Sequence, residues 1–182
     1  MLRRRHVHRG EKRGALVGKT KRGKGTKLMV LADGKGTPLG VCMASASPSE
    51  TKLLEPLLEA VAVKRQGPGR PRKRPKRLIG DRGNGHPKRL VAWGPYDSNA
   101  VRASLAARGI EPIIPARRNN TVATHQDGRR LRRYRRRWLV ERTHAWLQNY
   151  RRVLVRYERL ASLYLGFVHL ACALVVLKKV LG

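Results

Sequence analysis

Residues 27–44 read KLMVLADGKGTPLGVCMA: two apolar runs, 28–32 and 39–44, flank Asp33-Gly34-Lys35-Gly36. Gly accepts the backbone angles of a tight turn, and Asp accepts hydrogen bonds from the turn's own amides, so this stretch predicts a β-hairpin. Upstream, residues 9–27 (RGEKRGALVGKTKRGKGTK) are rich in Gly and Lys and read as an exposed basic loop. Downstream, residues 47–50 open a helix with Ser49 as its N-cap. Leu53, Leu54, Leu57, Leu58 and Val61 recur there at helical spacing, and Pro56 disturbs the first turns.

Residues 64–77, KRQGPGRPRKRPKR, end that helix with Pro and Gly and carry eight positive charges. A short strand, Leu78-Ile79-Gly80, runs up to Asp81. Residues 97–109 predict a helix with Val101, Leu105 and Ala106 inward and Gly109 as the stop. Residues 112–115 (PIIP) form a short buried strand, and 119–128 a polar loop. A long helix is expected over 131–150, carrying Trp138, Leu139, Ala145, Trp146 and Leu147, followed by an apolar C-terminal helix. Strands alternating with helices make an α/β domain. Residues 75–86 and 87–98 are twelve-residue units that both open Pro-Lys-Arg-Leu plus a β-branched residue, which reads as an in-frame duplication.

Forty-two Lys and Arg against eleven Asp and Glu leave a formal charge of +31 over 182 residues. Self-repulsion of that size opposes folding, and a polyanion relieves it; nucleic acid is the usual one. Cys42 and Cys172 lie far apart in apolar surroundings and fit neither a metal spacing nor a disulfide framework. Both read as core residues of a protein in a reducing cytoplasm. The charged N-terminus lacks the apolar stretch of a signal peptide. Residues 160–177, LASLYLGFVHLACALVVL, just reach membrane-spanning length. With His169 inside the run and Lys178 and Lys179 behind it, a buried helix is expected, with no membrane.

Chemistry concentrates in residues 129–146, RRLRRYRRRWLVERTHAW. Seven arginines precede a single acid, Glu141, in the pattern Tyr134, Arg137, Glu141. Arginines draw in a phosphate backbone, and one carboxylate among them is suited to hold a cation against it. Asp81 stands at the C-terminal end of a strand, where α/β sheets place ligand-binding groups. Carboxylates converging there would hold divalent ions for phosphodiester chemistry; the plainer reading of Asp81 is a turn cap. For Tyr134 and Arg137 the plainer reading is a solvated basic helix face.

The ordered set GKTKRGKGTKLMVLADGKGTPLG, SETKLLEPLLEAV, GRPRKRPKRLIGDRG, YDSNAVRASLAARGIEPIIPAR and YRRRWLVERTHAWLQNYRRVLVRYE resembles the DDE transposases of bacterial insertion sequences, most closely the IS-four/IS-five assemblage. The likeness is collinear over almost the whole chain. It implies an α/β fold of the RNase H-like (retroviral-integrase-like) kind: a mixed sheet flanked by helices, with a basic insertion and an apolar C-terminal helix, as one catalytic domain over 1–182. It implies metal-dependent DNA cleavage and strand transfer with Mg²⁺ or Mn²⁺, acting on an element's terminal inverted repeats and on target DNA. By analogy with the synapsis of two ends, it implies a homodimer, cytoplasmic and nucleoid-associated.

Carried over by residue, Asp81 matches the second Asp of the triad and Glu141 the Glu, both as catalytic and metal-holding groups. The family's Lys seven residues after the Glu is Gln148 here; Arg151 and Arg152 could contact phosphates instead. Arg133, Arg136, Arg137 and Tyr134 are the remaining DNA contacts of this helix. The family's first Asp lies on the opening strand, yet residues 1–10 contain no acid. Glu11 reads as a solvated loop charge and Asp33 as a turn former. The chain is therefore expected to be a transposase fragment with an incomplete first strand and impaired catalysis. Residues 84–95 are expected to be an insertion, since the family runs from Gly83 directly into Tyr96. A non-catalytic DNA-binding fragment or inhibitor is the alternative.

Gly69-Arg70-Pro71 is similar to the core of an AT-hook, which would send Arg70, Arg72, Lys73 and Arg74 toward a minor groove; a flexible linker making phosphate contacts is the other reading. Trp93, Trp138 and Trp146 read as core or helix-packing residues, His144 as a helix residue able to support Glu141, His169 as a hydrogen-bonded core histidine, and His6 and His8 as exposed strand residues.

Overall fold

The computed structural model describes residues 5–8, 14–20, 23–61, 63, 68–69, 75–80, 98–115 and 128–182. Six strands lie among them: β1 (Arg5–His8), β2 (Gly18–Thr20), β3 (Gly23–Ala32), β4 (Pro38–Ser45), β5 (Arg77–Ile79) and β6 (Glu111–Ile113). The helices are α1 (Leu54–Glu59), α2 (Asn99–Ala107), α3 (Gly128–Leu131), α4 (Trp138–Gln148), α5 (Arg151–Leu154) and α6 (Ala161–Leu181). β3 is the axis of a four-stranded antiparallel sheet, paired with β1, β2 and β4. β5 and β6 pair in parallel.

The expected hairpin is β3–β4. Its strand residues alternate between two cores because successive side chains of a strand point to opposite faces. Met29 and Leu31 join Leu54, Leu57, Leu58 and Val61 around α1, and Val101 and Leu105 of α2. Leu28 and Val30 join Leu147 of α4, Val153 of α5, and Tyr164, Val168, Ala171 and Val175 of α6. Leu78 and Ile114 belong to the first core, while Ile79 and Ile113 form a third with Ala32, Leu139 and Val140. Helices therefore cover both faces, a mixed α/β architecture.

Several expectations change. Residues 9–27 are not simply a loop: β2 and the first half of β3 occupy part of them, and Thr26 and Lys27 are buried. Pairing with β1 and β2 keeps this Gly-rich stretch extended, and the buried Lys27 ammonium donates to the carbonyl of Pro48. Glu11 lies outside the described residues. The helix after residue 47 begins as a 3-10 turn, Glu50–Leu53. Ser49 precedes it without a capping hydrogen bond; its hydroxyl pairs with that of Thr51 at 2.8 Å.

In α2, Ser98 caps the start by accepting from the Val101 amide. Gly109, at φ +70°, closes the end through Gly109 N–H to Ala106 and Ile110 N–H to Leu105. Ala106 faces solvent. The basic segment 64–77 runs into β5, where Arg77 bonds Glu111 at 2.7 Å. The proposed insertion 84–95 and most of the polar loop lie outside the described residues.

The long helix expected over 131–150 is divided. A 3-10 segment, Arg132–Arg137, separates α3 from α4. Like charges three and four apart on an α-helix repel, and this run is almost all arginine. The apolar C-terminal helix forms as α6, but it is not a buried helix. Only Tyr164, Val168, Ala171 and Val175 are buried, because α6 lies on the outer side of its core. It is long and apolar enough to cross a membrane, yet only 22 % of its most apolar window is buried. His169 faces away from β3 and is exposed, so it is not a core histidine. Cys42 and Cys172 are half-buried at the edges of the two large cores. His6 and His8 do lie on a strand, with their side chains outside the description.

Candidate active site and basic face

Glu141 stands in α4, immediately after Val140, which is buried in the third core. That core also contains Ile79, the last residue of β5, two positions before Asp81. One apolar cluster thus anchors both backbone segments from which the expected carboxylates come. Asp81 itself lies outside the described residues, as do Arg70, Arg72, Lys73, Arg74 and Trp93. Among the described residues no group of three or more His, Cys, Asp or Glu could hold a metal ion.

Three of the described acids pair with arginines, while Asp33, Glu59 and Glu141 make no ion pair among the described residues. Glu55 pairs with Arg108 at 2.9 Å, Glu111 with Arg77 at 2.7 Å and Glu158 with Arg152 at 3.0 Å. The half-buried Glu141 carboxylate makes no ion pair or hydrogen bond among the described residues. Its two nearest arginines on the helix are engaged elsewhere. Arg137 donates to the Tyr134 hydroxyl at 3.1 Å, with its guanidinium 5.5 Å from the ring centroid. Arg142 stacks between Trp138 and Trp146, 4.6 and 4.7 Å from their centroids, and donates to the carbonyl of Lys35.

Tyr134 is therefore more than part of a solvated face: its ring packs against the core of Ile79, Ile113 and Val140. The 3-10 segment that carries it lies against β5. Arg133 and Arg136 are exposed beside it, as are Arg132 and Arg135. Arg151 is exposed in α5; Arg152 is exposed too but is tied to Glu158. Trp138 is half exposed rather than a core residue. His144 is buried on the inner side of α4, away from the solvent face.

The turn of the β3–β4 hairpin holds α4 in place. The Asp33 carboxylate accepts from the amides of Lys35 and Thr37, both at 2.8 Å, which bears out its role as turn former. Lys179 of α6 donates to the Lys35 carbonyl at 2.9 Å and to Thr37, and lies 4.9 Å from the Trp146 ring. Burial lowers its pKa, opposed by the nearby Asp33 charge. The sequence reading missed this Trp138–Arg142–Trp146–Lys179 stack. The spacing of four between the first three residues was the available signal, since such positions are neighbours on a helix.

A family profile described as "Transposase DDE domain" matches residues 3–176. The chain is 37 % identical over 151 residues to "Putative transposase for insertion sequence element IS402" of Burkholderia cepacia, covering 83 % of this chain and 62 % of that one. It is 33 % identical over 105 residues to "Putative transposase for insertion sequence element IS6501" of Brucella ovis, covering 56 % and 74 % respectively. The chain thus spans less than two thirds of the length of the first of these relatives. No solved structure matches it significantly.

Proposed function

The chain belongs to the transposase DDE domain family, and we propose that it binds DNA at the ends of an insertion sequence and carries part of the machinery for cutting and rejoining DNA strands there. The observation that carries this reading is the Glu141 carboxylate, left without an ion pair among the described residues while Glu55, Glu111 and Glu158 each hold an arginine. Glu59, also unpaired, is exposed to water, whereas Glu141 is half-buried, where an uncompensated charge is costly and a bound cation would neutralise it.

In this reading Glu141 and Asp81 hold a divalent ion, Mg²⁺ or Mn²⁺, whose chemistry when bound is to favour attack on a phosphodiester. Oxygen donors alone suit either ion. Tyr134 holds Arg137 in position, and Arg133, Arg136, Arg151 and Arg152 neutralise phosphates. Arg70, Arg72, Lys73 and Arg74 add a basic arm to the DNA surface. Antiparallel β1, β3 and β4, parallel β5 and β6, and helices on both faces support an RNase H-like arrangement. The motif order supports the IS-four/IS-five assignment. A DNA substrate places the protein with the nucleoid in the cytoplasm, and the joint handling of two element ends calls for a homodimer.

β1 contains no acid, and in this reading Asp81 and Glu141 without a third carboxylate on that strand cleave weakly. The same observation favours the second reading, a non-catalytic DNA-binding protein that competes for element ends. The test is nicking of a duplex carrying the element's end, with Mg²⁺ or Mn²⁺, by the chain and by its Glu141→Gln and Asp81→Asn variants. Weak cleavage lost in both variants supports the first reading. DNA binding without cleavage, unchanged in both variants, supports the second. Cleavage that survives both substitutions sinks the site assignment.

A further inference from the structure

Residues 23–25 of β3 extend beyond the ends of β1 and β4, both of which pair with β3 only from Thr26 onward. Among the described strands they pair with β2 alone: Gly18 with Gly25, Lys19 with Lys24, Thr20 with Gly23. A two-stranded ribbon therefore stands out from the sheet. Lys19 and Lys24 are direct cross-strand partners, so their side chains share a face, and both are exposed. Neither makes an ion pair among the described residues. We propose that this ribbon is a second DNA-binding element, whose two lysines hold phosphates of a duplex that also reaches the Glu141 site.

Like charges placed directly opposite on a sheet destabilise it, and a lone hairpin is marginal in water. This ribbon carries both handicaps and is fixed at its root. The Thr26 hydroxyl donates to the carbonyl of Leu16 at 2.9 Å, and the buried guanidinium of Arg156 donates to the Thr26 hydroxyl. Leu16 has φ +62°, a left-handed conformation that a leucine keeps only where its surroundings impose it. A Cβ on Gly18 would collide with the hydroxyls of Ser45 and Ser47, so the ribbon lies hard against the end of β4. A solvated loop requires none of these anchors. A ribbon that presents two cations at fixed places does, and bound phosphates relieve the repulsion between them.

The ribbon also lies on the side of the sheet that a duplex held at Glu141 would follow. Successive strand residues alternate faces, so Lys24 shares the face of Leu28 and Val30, against which α4, α5 and α6 pack. Arg151 of α5 and Arg159 in the turn after it are exposed, and the Arg159 carbonyl helps to hold Arg156. At the other end of β3, Ala32 joins the core of Leu139 and Val140 beside Glu141. The strand from Lys24 to Ala32 is about 26 Å long at roughly 3.3 Å per residue, the length of about 8 base pairs. The inference rests on the DNA-binding reading and adds to it a surface remote from the metal-holding residues.

The test is fluorescence anisotropy of a labelled duplex of about 30 base pairs, long enough to span both places, titrated with the whole chain at several salt concentrations. Lys19→Ala with Lys24→Ala should lower the slope of log affinity against log salt by about 1.8, and affinity at about 0.1 M salt by roughly sixtyfold, since each phosphate contributes about 0.9 to the slope. A second duplex of unrelated sequence should lose as much, because lysines on phosphates read no bases. The melting temperature should stay level or rise, since the repulsion between the pair is gone. Lys19→Arg with Lys24→Arg should keep the slope. Lys52→Glu removes as much charge beside Leu53 and Leu54, on the opposite face of the sheet, and should leave the slope unchanged. A slope untouched by the alanine pair, or lowered equally by Lys52→Glu, overturns the inference and leaves DNA binding standing. A fall in melting temperature with the alanine pair overturns it too, by making the lysines structural. A parent chain that binds neither duplex overturns both the inference and the reading on which it rests.

Discussion

Thr143, two residues beyond Glu141, donates its hydroxyl proton to the carbonyl oxygen of Gly36 at 2.7 Å, tying the helix of the candidate site to the β3–β4 turn. The contact is buried, and Arg142 and Lys179 add bonds to the neighbouring Lys35 carbonyl. Gly36 has φ +79°, and a Cβ there would lie 3.2 Å from the Thr143 hydroxyl and 3.3 Å from the Leu139 carbonyl. Both conditions call for glycine. Gly36→Ala is expected to cost about 1–3 kcal/mol. Thermal unfolding should register this at about 2–4 °C per kcal/mol. An unchanged melting temperature would show that the turn does not hold α4.

Glu141→Gln should behave in the opposite way. The carboxylate makes no ion pair among the described residues, so its neutralisation should leave the melting temperature within about 1 °C, as for surface changes away from networks. Any metal-dependent nicking should disappear while DNA binding persists. A large loss of stability would mean that Glu141 is a structural group.

DNA affinity should fall steeply with salt, because each phosphate neutralised contributes about 0.9 to the slope of log affinity against log salt. Arg133→Ala with Arg136→Ala, both exposed on the 3-10 segment, should reduce that slope by about 1.8 if each contacts one phosphate. Electrophoretic mobility shifts at several salt concentrations measure it. A slope unchanged by the pair would remove this segment from the DNA surface.

Arg156 is 1 % exposed. Its guanidinium donates to the carbonyls of Glu158 and Arg159 and to the Thr26 hydroxyl. Arg156→Met keeps much of the volume but strands those acceptors, each at about 1–3 kcal/mol when buried. Chemical denaturation should show a loss of about 3 kcal/mol or more. A variant as stable as the parent would mean that water replaces the guanidinium there.

Alkali should destabilise the fold through Cys172 and Tyr164. Burial pushes the Cys172 thiol from 9.0 up to about 11. Burial also raises the Tyr164 phenol, with Arg156 opposing it. Below pH 9.0 the thiol is protonated whether the chain is folded or not. Above it the unfolded chain ionises first, so stability falls as pH rises, until the folded thiol ionises near 11. Cys172→Ser should flatten part of that fall in melting temperature between those values. An identical fall in the variant would assign all of it to other groups.

The β3–β4 hairpin, the Gly109 stop and the strands at Leu78 and Ile113 were legible because each depends on a few adjacent residues: turn chemistry, helix termination and alternation of apolar side chains. Tyr134, Arg137 and Glu141 were legible as a spaced pattern in an arginine run. Burial was not legible wherever it depends on which face of an element meets a distant one. The apolar run of α6 gave no sign of which seam turns inward, and His169 and Trp138 came out exposed for that reason. Lys27 and Arg156 look like surface cations in sequence, yet the Pro48 carbonyl and the Thr26 hydroxyl, each brought from elsewhere in the chain, hold them inside. Turns and periodicities arise from forces within a few residues, so local chemistry decides them. The joining of Val140 and Ile79 in one core, the clamp of Thr143 on Gly36 and the freedom of Glu141 from its arginines come from contacts between remote segments, and only the folded chain decides those.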